Sequence, residues 1–292
     1  MAIKKSASAA TPPTLKWHGR TDRGPVRPNN EDAFLGLQFD AREVRHLGKI
    51  GEAGLADADF AFAVSDGMGG AMAGEYASRI AVEKITTLLP RSFQRPQRQP
   101  EAEAGRVLTE LFRQVHRALK YLGSCYDECA DMEATLSLCW FTPGRVYFGH
   151  VGDSRIYHLP RQSGGIRQLT DDDTHVGWLL RQGKLNEREA RMHPRRKVLQ
   201  KALGGGNQFV DPQVGSVACE SGDIFLLCTD GLVEGLYDHA LLELLRPPIS
   251  EKRKAVPQRG RESGNNPAKM LVEAAIVRDG RDNITALVVE VK

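Results

Sequence analysis

The chain has 292 residues, of which 41% are hydrophobic and 26% are charged, a composition that argues against a disordered or fibrous protein. The net charge of +3 is too close to neutral to indicate nucleic-acid binding. No apolar run approaches the roughly 20 residues that span a bilayer, so we expect neither a nucleic acid nor a membrane as a partner.

The N-terminal segment and the cysteines bear on the compartment in which the protein works. Residues 1–14, MAIKKSASAATPPT, are small and polar and lack the apolar part of a signal peptide, so we expect a disordered tail. The five cysteines include no C-x-x-C pair, which favours free thiols in a reducing compartment. Cys125 and Cys129 have no second pair to complete a zinc site, which is therefore not favoured. We expect a cytoplasmic protein.

In chain order, runs rich in β-branched and aromatic residues predict strands, and runs with apolar residues at helical spacing predict helices. The predicted strands are 15–21, 33–39, 60–65, 135–141, 145–151, 155–159, 214–219, 224–228 and 284–291. The predicted helices are 73–89, 101–122, 176–182, 187–192, 197–203 and 267–278. Asn186 is well placed to cap the helix at 187–192.

The order of these elements predicts the fold class. Strict alternation of strands and helices is absent, and two long helices follow one another between strands. This order favours an α+β domain in which helices pack on antiparallel sheets. The sequence shows no internal repeat and no boundary between two cores, so we expect residues 15–292 to form one domain. Residues 91–100 and 246–266 are the expected excursions from it.

Acidic residues stand at the ends of several predicted strands. They are Glu31 and Asp32, before the strand at 33–39; Asp66 and Asp230, each between an apolar run and a glycine in FAFAVSDGMGG and IFLLCTDGL; Asp153, after the strand at 145–151; and Asp282, before the last strand. Strand ends can meet at one rim of a sheet fold, where several carboxylates cannot all stay ionised without a counter-charge. Mg²⁺ and Mn²⁺ prefer oxygen ligands and supply that charge. Gly67 has no Cβ to keep its carbonyl from such a metal.

Each signal has a simpler interpretation when it is taken alone. An Asp-Gly pair is usually a turn, Asp153 could form a surface ion pair with Arg155, and Arg27 could be a solvated loop charge. The eight histidines have no zinc-binding spacing, and GMGGAMAG lacks the G-K-[ST] ending of a phosphate loop. Only the joint pattern favours a divalent metal centre.

Two divalent cations held by shared carboxylates suit the hydrolysis of a phosphate ester. They lower the pKa of a shared water and hold it in line with the phosphorus atom. A phosphate dianion also needs a cation from the protein, and Arg27 lies in the same loop as Glu31 and Asp32. A guanidinium group binds phosphate through two hydrogen bonds, so Arg27 is the candidate phosphate ligand.

Six segments resemble, in order, the motifs of the bacterial branch of the metal-dependent type 2C Ser/Thr protein phosphatases. They are TDRGPVRPNNEDAF, VSDGMGGAMAGEYAS, HVGDSRIYHL, HPRRKVLQKALGGG, LLCTDGLVE and RDNITALVVEV. The resemblance extends from about residue 15 to residue 292. It implies a β-sandwich of two antiparallel sheets flanked by pairs of helices, with a binuclear Mn²⁺ or Mg²⁺ centre at one end.

The resemblance also implies the metal ligands. Asp66 would bridge the two metals, and the Gly67 carbonyl would bind one of them. Asp230 and Asp282 would complete the shell of the other. Asp153 would hold a third, weaker metal.

The same resemblance implies the catalytic residues. Glu31 and Asp32 would act beside the metals, directly or through a metal-held water, and Arg27 would bind the substrate phosphate. Asp66, Arg27 and Asp32 are therefore the expected catalytic residues. A water activated by the binuclear centre would attack directly, so no phosphoenzyme is expected.

Two features bear on the substrate and on the rate. Residues 170–206 resemble the flap beside the active site, which varies with substrate, although a lid that only covers the core is an equally good interpretation. Many bacterial members carry a histidine where this chain has Ala71. That histidine is a proposed general acid, and general acids contribute about 10²–10⁴-fold.

The leading hypothesis is a phosphatase that hydrolyses phosphoserine and phosphothreonine in proteins and opposes a Ser/Thr protein kinase. The alternative is a low-turnover phosphoprotein-binding or regulatory module of the same fold, which Ala71 keeps open. A phosphatase of small phosphorylated metabolites is a third hypothesis.

Overall fold

The computed structural model describes residues 13–69, 73–92, 101–206, 208–246 and 266–292. The strands in these ranges are β1 (Thr14–Asp22), β2 (Asp32–Phe39), β3 (Val44–His46), β4 (Ile50–Gly54), β5 (Asp59–Met68), β6 (Glu133–Ala134), β7 (Leu136–Thr142), β8 (Arg145–Val151), β9 (Arg155–Leu159), β10 (Arg167–Gln168), β11 (Leu203–Gly204), β12 (Gln213–Ala218), β13 (Ile224–Cys228) and β14 (Ile284–Val291). The helices are α1 (Ala73–Leu88), α2 (Glu101–Cys125), α3 (His175–Arg181), α4 (Glu187–Met192), α5 (Asp230–Gly235), α6 (Asp238–Leu245) and α7 (Pro267–Arg278). Two 3₁₀ turns are Pro90–Ser92 and Asp127–Cys129.

The strands build two antiparallel sheets. In the first sheet the spatial order is β10–β9–β13–β14–β1–β4. In the second the order is β11–β6–β5–β7–β8–β12, with β2 paired to β5 and β3 paired to β2. The last strand, β14, is a central strand of the first sheet and lies between β13 and β1.

The two sheets pack face to face on a core of aromatic side chains. Trp17 of the first sheet lies 5.8 Å from Phe62 of the second, and Phe225 meets Phe141 edge-on at 5.2 Å between ring centroids. Successive side chains of a strand point to opposite faces. Phe62 therefore points between the sheets, whereas Ala63 points toward the helices.

Helices cover the outer face of each sheet. Buried side chains of α1 and α2, such as Ile85 and Phe112, pack on the second sheet. Those of α5, α6 and α7, such as Leu232, Leu241 and Leu271, pack on the first. The four layers confirm the predicted α+β sandwich of two antiparallel sheets flanked by helices.

The helix predicted at 197–203 is wrong. Residues 194–197 form a turn, Leu199 makes an isolated β-bridge with Thr174, and the Gln200 N–H donates to the carbonyl of Asp173. These long-range bonds replace the helical ones, so tertiary pairing overrides local propensity. By contrast, Asn186 does cap α4, in a capping box with Glu189.

Several expectations concern residues outside the described ranges, namely residues 1–12 of the predicted tail, Ala71 and most of the two predicted excursions. β1 begins at Thr14, inside the segment predicted as the tail. All five cysteines are free. None of the helices in the described ranges is long and apolar enough to cross a bilayer.

Candidate metal centre

The strand register brings one end of each of β9, β13 and β14 to the same edge of the first sheet. The last residue of β13, Cys228, pairs with Ala286 near the start of β14 and with Arg155 at the start of β9. The acidic residues at this edge are Asp153, before β9; Asp230, at the start of α5; and Asp282, before β14.

The second sheet contributes Asp32 and Asp66, which stand directly opposite each other on β2 and β5. Thr229 donates a hydrogen bond of 2.7 Å to Asp32, so the two sheets meet here. Burial raises the pKa of Asp66 well above its ordinary value, and the charges of Asp32 and Asp230 raise it further. Because facing carboxylates repel each other, this arrangement favours a shared cation or bound protons.

Asp32 presents one satisfied and one unsatisfied oxygen. Its Oδ2 accepts hydrogen bonds of 2.7 Å from the hydroxyls of Thr229 and Thr285. Its Oδ1 is buried and has no hydrogen-bond partner among the described residues. Burial raises the pKa of Asp32 to about 7, although the two hydroxyls act in the opposite direction. An unpartnered buried oxygen is costly, so Oδ1 is a natural ligand position.

Gly67 lies against the first turn of α1. A Cβ at Gly67 would overlap the carbonyl oxygen of Gly74, and a Cβ at Gly74 would lie 2.8 Å from the Gly67 carbonyl oxygen. The Gly67 N–H donates to the carbonyl of Glu31 at 3.1 Å. Glycine at both positions lets the loop of Glu31, the end of β5 and α1 approach one another closely.

Asp153 lies in the turn between β8 and β9, which Gly152 enters with a φ of 111°. Buried His150 donates from Nε2 to the carbonyl of Gly152 at 3.0 Å. Asp173 accepts the Gly152 N–H at 3.1 Å. These two bonds fix the turn that presents Asp153.

Asp153 does not form the surface ion pair with Arg155 that is its simpler interpretation. Arg155 instead donates to both carboxylate oxygens of Asp172, at 2.8 and 2.6 Å. Burial raises the pKa of Asp153 well above its ordinary value, and the charge of Asp230 raises it further. Asp153 is therefore a half-buried carboxyl group of the cluster.

Asp230, Glu234 and Asp282 each bring one carboxylate oxygen within 4.8 Å of the other two. Glu234 follows Asp230 by one turn of α5 and so faces the same side. The ammonium of Lys197 lies 3.0 Å from Asp230, 3.2 Å from Glu234 and 2.5 Å from Asp282. Burial alone would raise the pKa of Asp282, but Lys197 and Arg27 together lower it. Oδ1 of Asp230 remains buried without a hydrogen-bond partner among the described residues.

Arg27 is half-exposed and binds both oxygens of Asp282, with Nε–Oδ1 at 2.9 Å and Nη2–Oδ2 at 3.0 Å. The buried side chain of Asn283 supports this loop. It accepts the N–H of Glu31 and donates to two backbone carbonyls of the loop. Burial raises the pKa of Glu31 although Arg27 acts against it. Asn283 therefore holds the loop that presents Arg27 and Glu31 beside Asp282.

A cavity of about 490 Å³ opens beside the cluster, between α5 and the segment predicted as the flap. Its lining includes Asp153, Lys197, Asp230, Glu234, Arg191 and Tyr237. Arg191 stacks on Tyr237 at 3.8 Å from the ring centroid and donates to the carbonyl of Val233. The cavity gives a ligand room next to the acidic residues.

The residues present fit divalent cations. Two carboxylate oxygens, on Asp32 and Asp230, are buried without partners. Within the described ranges, Asp32, Asp66 and Asp153 form no ion pair with a basic side chain. Burial raises the pKa values of all three, and the charges of neighbouring aspartates raise them further. An all-oxygen donor set suits Mg²⁺ or Mn²⁺.

Several residues of the site escaped the sequence-based predictions. They are Lys197, Thr229, Glu234, Asn283 and Thr285. A helix predicted after Thr-Asp-Gly would have placed Glu234 beside Asp230. No local pattern indicates Lys197, because its position depends on the path of the turn at 194–197.

Comparisons with known proteins agree with this geometry. A family profile described as Protein phosphatase 2C matches residues 50–255. Serine/threonine protein phosphatase PstP of Mycobacterium tuberculosis is 30% identical over 282 residues, which are 95% of this chain and 45% of that protein. Serine/threonine phosphatase stp of Listeria innocua is 31% identical over 274 residues, which are 90% of this chain and 97% of that protein.

A solved structure is similar along nearly the whole chain. It is the catalytic domain of PstP in complex with 2 manganese ions, with a TM-score of 0.71, 29% identity and coverage of 96% of this chain and 99% of that chain. The present chain spans about half the length of the mycobacterial relative and nearly all of the listerial one. It belongs to the protein phosphatase 2C family.

Proposed function

We propose that this protein is a Mn²⁺- or Mg²⁺-dependent phosphatase that hydrolyses phosphoserine and phosphothreonine in proteins and opposes a Ser/Thr protein kinase. The supporting observation is the convergence of aspartates from both sheets on one partly buried cluster with unpartnered oxygens. The relatives named Ser/Thr phosphatases support the substrate class. We expect a cytoplasmic location, because five free cysteines fit a reducing compartment.

The ligand assignment is the one that the resemblance to the family implies. Asp66 would bridge two cations, with the Gly67 carbonyl on one, Asp230 and Asp282 on the other, and Asp153 on a third, weaker site. When bound, two divalent cations supply a water nucleophile at neutral pH and balance the charge of the phosphate.

Arg27 would bind the substrate phosphate. A guanidinium group has five N–H donors, and the pairing with Asp282 engages only its Nε and Nη2 groups. The remaining donors are available at the half-exposed mouth of the site. Oδ1 of Asp32 is the oxygen left to orient a ligand or a water, since Oδ2 is held by two hydroxyls.

The leaving oxygen needs a proton. Ala71, where many relatives have histidine, lies outside the described residues. His175 stacks on Trp178, and His193 accepts a hydrogen bond from the backbone of Arg195, so both have structural contacts. We therefore expect water to protonate the leaving oxygen, which favours substrates with good leaving groups.

The test is Mn²⁺-dependent hydrolysis of p-nitrophenyl phosphate and a phosphothreonine peptide. Asp66→Asn should abolish turnover of both while keeping the fold by circular dichroism. Asp57→Asn, at an exposed site, removes the same charge and should keep full activity. Normal turnover by Asp66→Asn would refute the assigned bridge. Peptide binding by the wild type without turnover would favour the binding module instead.

A further inference from the structure

The ammonium of Lys197 lies among three carboxylates of the acidic cluster. It is within 3.2 Å of carboxylate oxygens from Asp230, Glu234 and Asp282. Asp230 and Glu234 belong to α5, and Asp282 lies just before β14. Lys197 belongs to the turn at 194–197. A separate segment of the chain thus inserts one positive charge among three negative ones.

Lys197 stays protonated among these carboxylates and is also partly exposed to solvent. Burial alone would lower the pKa of Lys197, but Asp230, Asp282 and Glu234 outweigh burial and raise it. The side chain is nevertheless 38% exposed. Its flexible four-carbon stem therefore allows the ammonium to swing into solvent.

The backbone around Lys197 is anchored independently of the ammonium. Leu199 pairs with Thr174, and Gln200 donates to Asp173. Arg196 makes its own contact with Glu234 at 3.4 Å. The side chain of Lys197 can consequently leave the acidic residues without unfolding the turn.

A divalent ion and the ammonium cannot share the same oxygens. The distances between the three carboxylates leave room for one cation among them, and two cations at contact distance repel each other strongly where water is partly excluded. Any metal that binds Asp230 and Asp282 must therefore displace Lys197 or share Asp282 with it.

We propose that Lys197 is a tethered competitor of the divalent metal held by Asp230 and Asp282. It balances part of the negative charge of Asp230, Glu234 and Asp282 when metal is scarce, and metal binding expels it into the adjacent cavity. Lys197 thereby weakens metal binding and makes its own exposure depend on metal occupancy. This inference rests on the proposed metal centre.

The first test is the affinity for Mn²⁺ measured by titration calorimetry. Lys197→Met keeps the length of the side chain and removes its charge. It should tighten at least one Mn²⁺ site by about tenfold, a typical size for coupling between two sites. Lys201→Met is the matched control, since Lys201 lies 3.6 Å from Asp173 and contacts none of the three acids. It should keep the wild-type affinity.

The second test is the reactivity of the amine with an acetylating reagent, followed by mass spectrometry of the wild-type protein. Lys197 should be protected in EDTA and labelled several-fold faster in saturating Mn²⁺, while Lys201 should not change. Equal labelling of Lys197 in the two conditions would overturn the inference, as would unchanged or weaker Mn²⁺ binding by Lys197→Met.

Failure of the metal centre and failure of the role of Lys197 give different results. If the wild type binds no Mn²⁺ in the calorimeter, the proposed metal centre fails and the role of Lys197 falls with it. If the wild type binds Mn²⁺ but Lys197→Met binds it no more tightly, only the role of Lys197 fails.

Discussion

Asp32 and Asp66 stand opposite each other on antiparallel strands, and Asp32 is only 9% exposed. Like charges in directly opposed positions destabilise a sheet, and burial makes the cost larger. The fold nonetheless places both carboxyl groups at the junction of the two sheets. The protein therefore carries a local repulsion that a shared cation relieves.

Removing one of these charges should stabilise the protein without metal. Asp66→Asn should raise the melting temperature in EDTA by about 2–4 °C per kcal/mol of repulsion removed. The variant should gain less stability from Mn²⁺ than the wild type, because it lacks the carboxylate that we propose to bridge the two cations. Thermal melts with EDTA and with Mn²⁺ measure both effects, with Asp57→Asn as the control. A lower melting temperature of Asp66→Asn in EDTA would contradict the repulsion.

Arg27 should contribute mainly to substrate binding. Arg27→Lys keeps the charge but loses the two-pronged grip on phosphate. At saturating Mn²⁺ we expect KM for p-nitrophenyl phosphate to rise by about tenfold, equivalent to about 1.4 kcal/mol, with a smaller change in kcat. Arg23→Lys is the control, because Arg23 lies in the same loop and its side chain donates to the carbonyl of Pro28; this variant should keep KM. An unchanged KM for Arg27→Lys would remove Arg27 from the phosphate site.

Asn283 should position the loop of Arg27. Asn283→Ala breaks three hydrogen bonds to that loop and should cost about 1–3 kcal/mol in the free energy of unfolding while raising KM. Asn266→Ala removes a helix cap at α7 and should cost about 1 kcal/mol without changing KM. Urea unfolding and steady-state kinetics separate the two variants. Equal KM values for both would make Asn283 a purely structural residue.

Most strands, and the acidic residues at their ends, could be predicted from the sequence. Apolar runs such as β5 and β14 are buried on both faces, so their composition predicts them well. The Asp-Gly pairs at the strand ends could be recognised because each follows such a run. The sequence could not place Lys197 or predict a turn at 194–197, since long-range pairing of Leu199 with Thr174 decides that path. The helix α5 was missed because its six residues are too short for a periodic pattern.

The buried His150 should make stability depend on pH. Its Nε2 donates to Gly152 and its Nδ1 accepts from Ser137, which is the neutral form, and burial lowers its pKa from the ordinary 6.5. Below about pH 6.5 the unfolded chain takes up a proton that the folded protein refuses, so the contribution of His150 to the free energy of unfolding falls as pH falls. The carboxyl groups of Asp32, Asp66 and Asp153, whose pKa values are raised, act in the opposite direction.

Urea unfolding between pH 7.5 and 5 measures this dependence. Relative to the wild type, His150→Gln should gain stability as pH falls, because it has lost the unfavourable contribution of His150. His239→Gln, at an exposed site, should match the wild type. His18, whose pKa burial also lowers, contributes equally in all three proteins. An identical slope for His150→Gln and the wild type would exclude His150 as a source of the dependence.

Anomalous diffraction from crystals of the wild-type protein soaked in Mn²⁺ tests the shared-metal account most directly. We predict two strong peaks that share Asp66 as a ligand, one beside the Gly67 carbonyl and one beside Asp230 and Asp282, with a weaker peak at Asp153. Well-diffracting, Mn²⁺-soaked crystals with no anomalous peak in contact with Asp66 would contradict it.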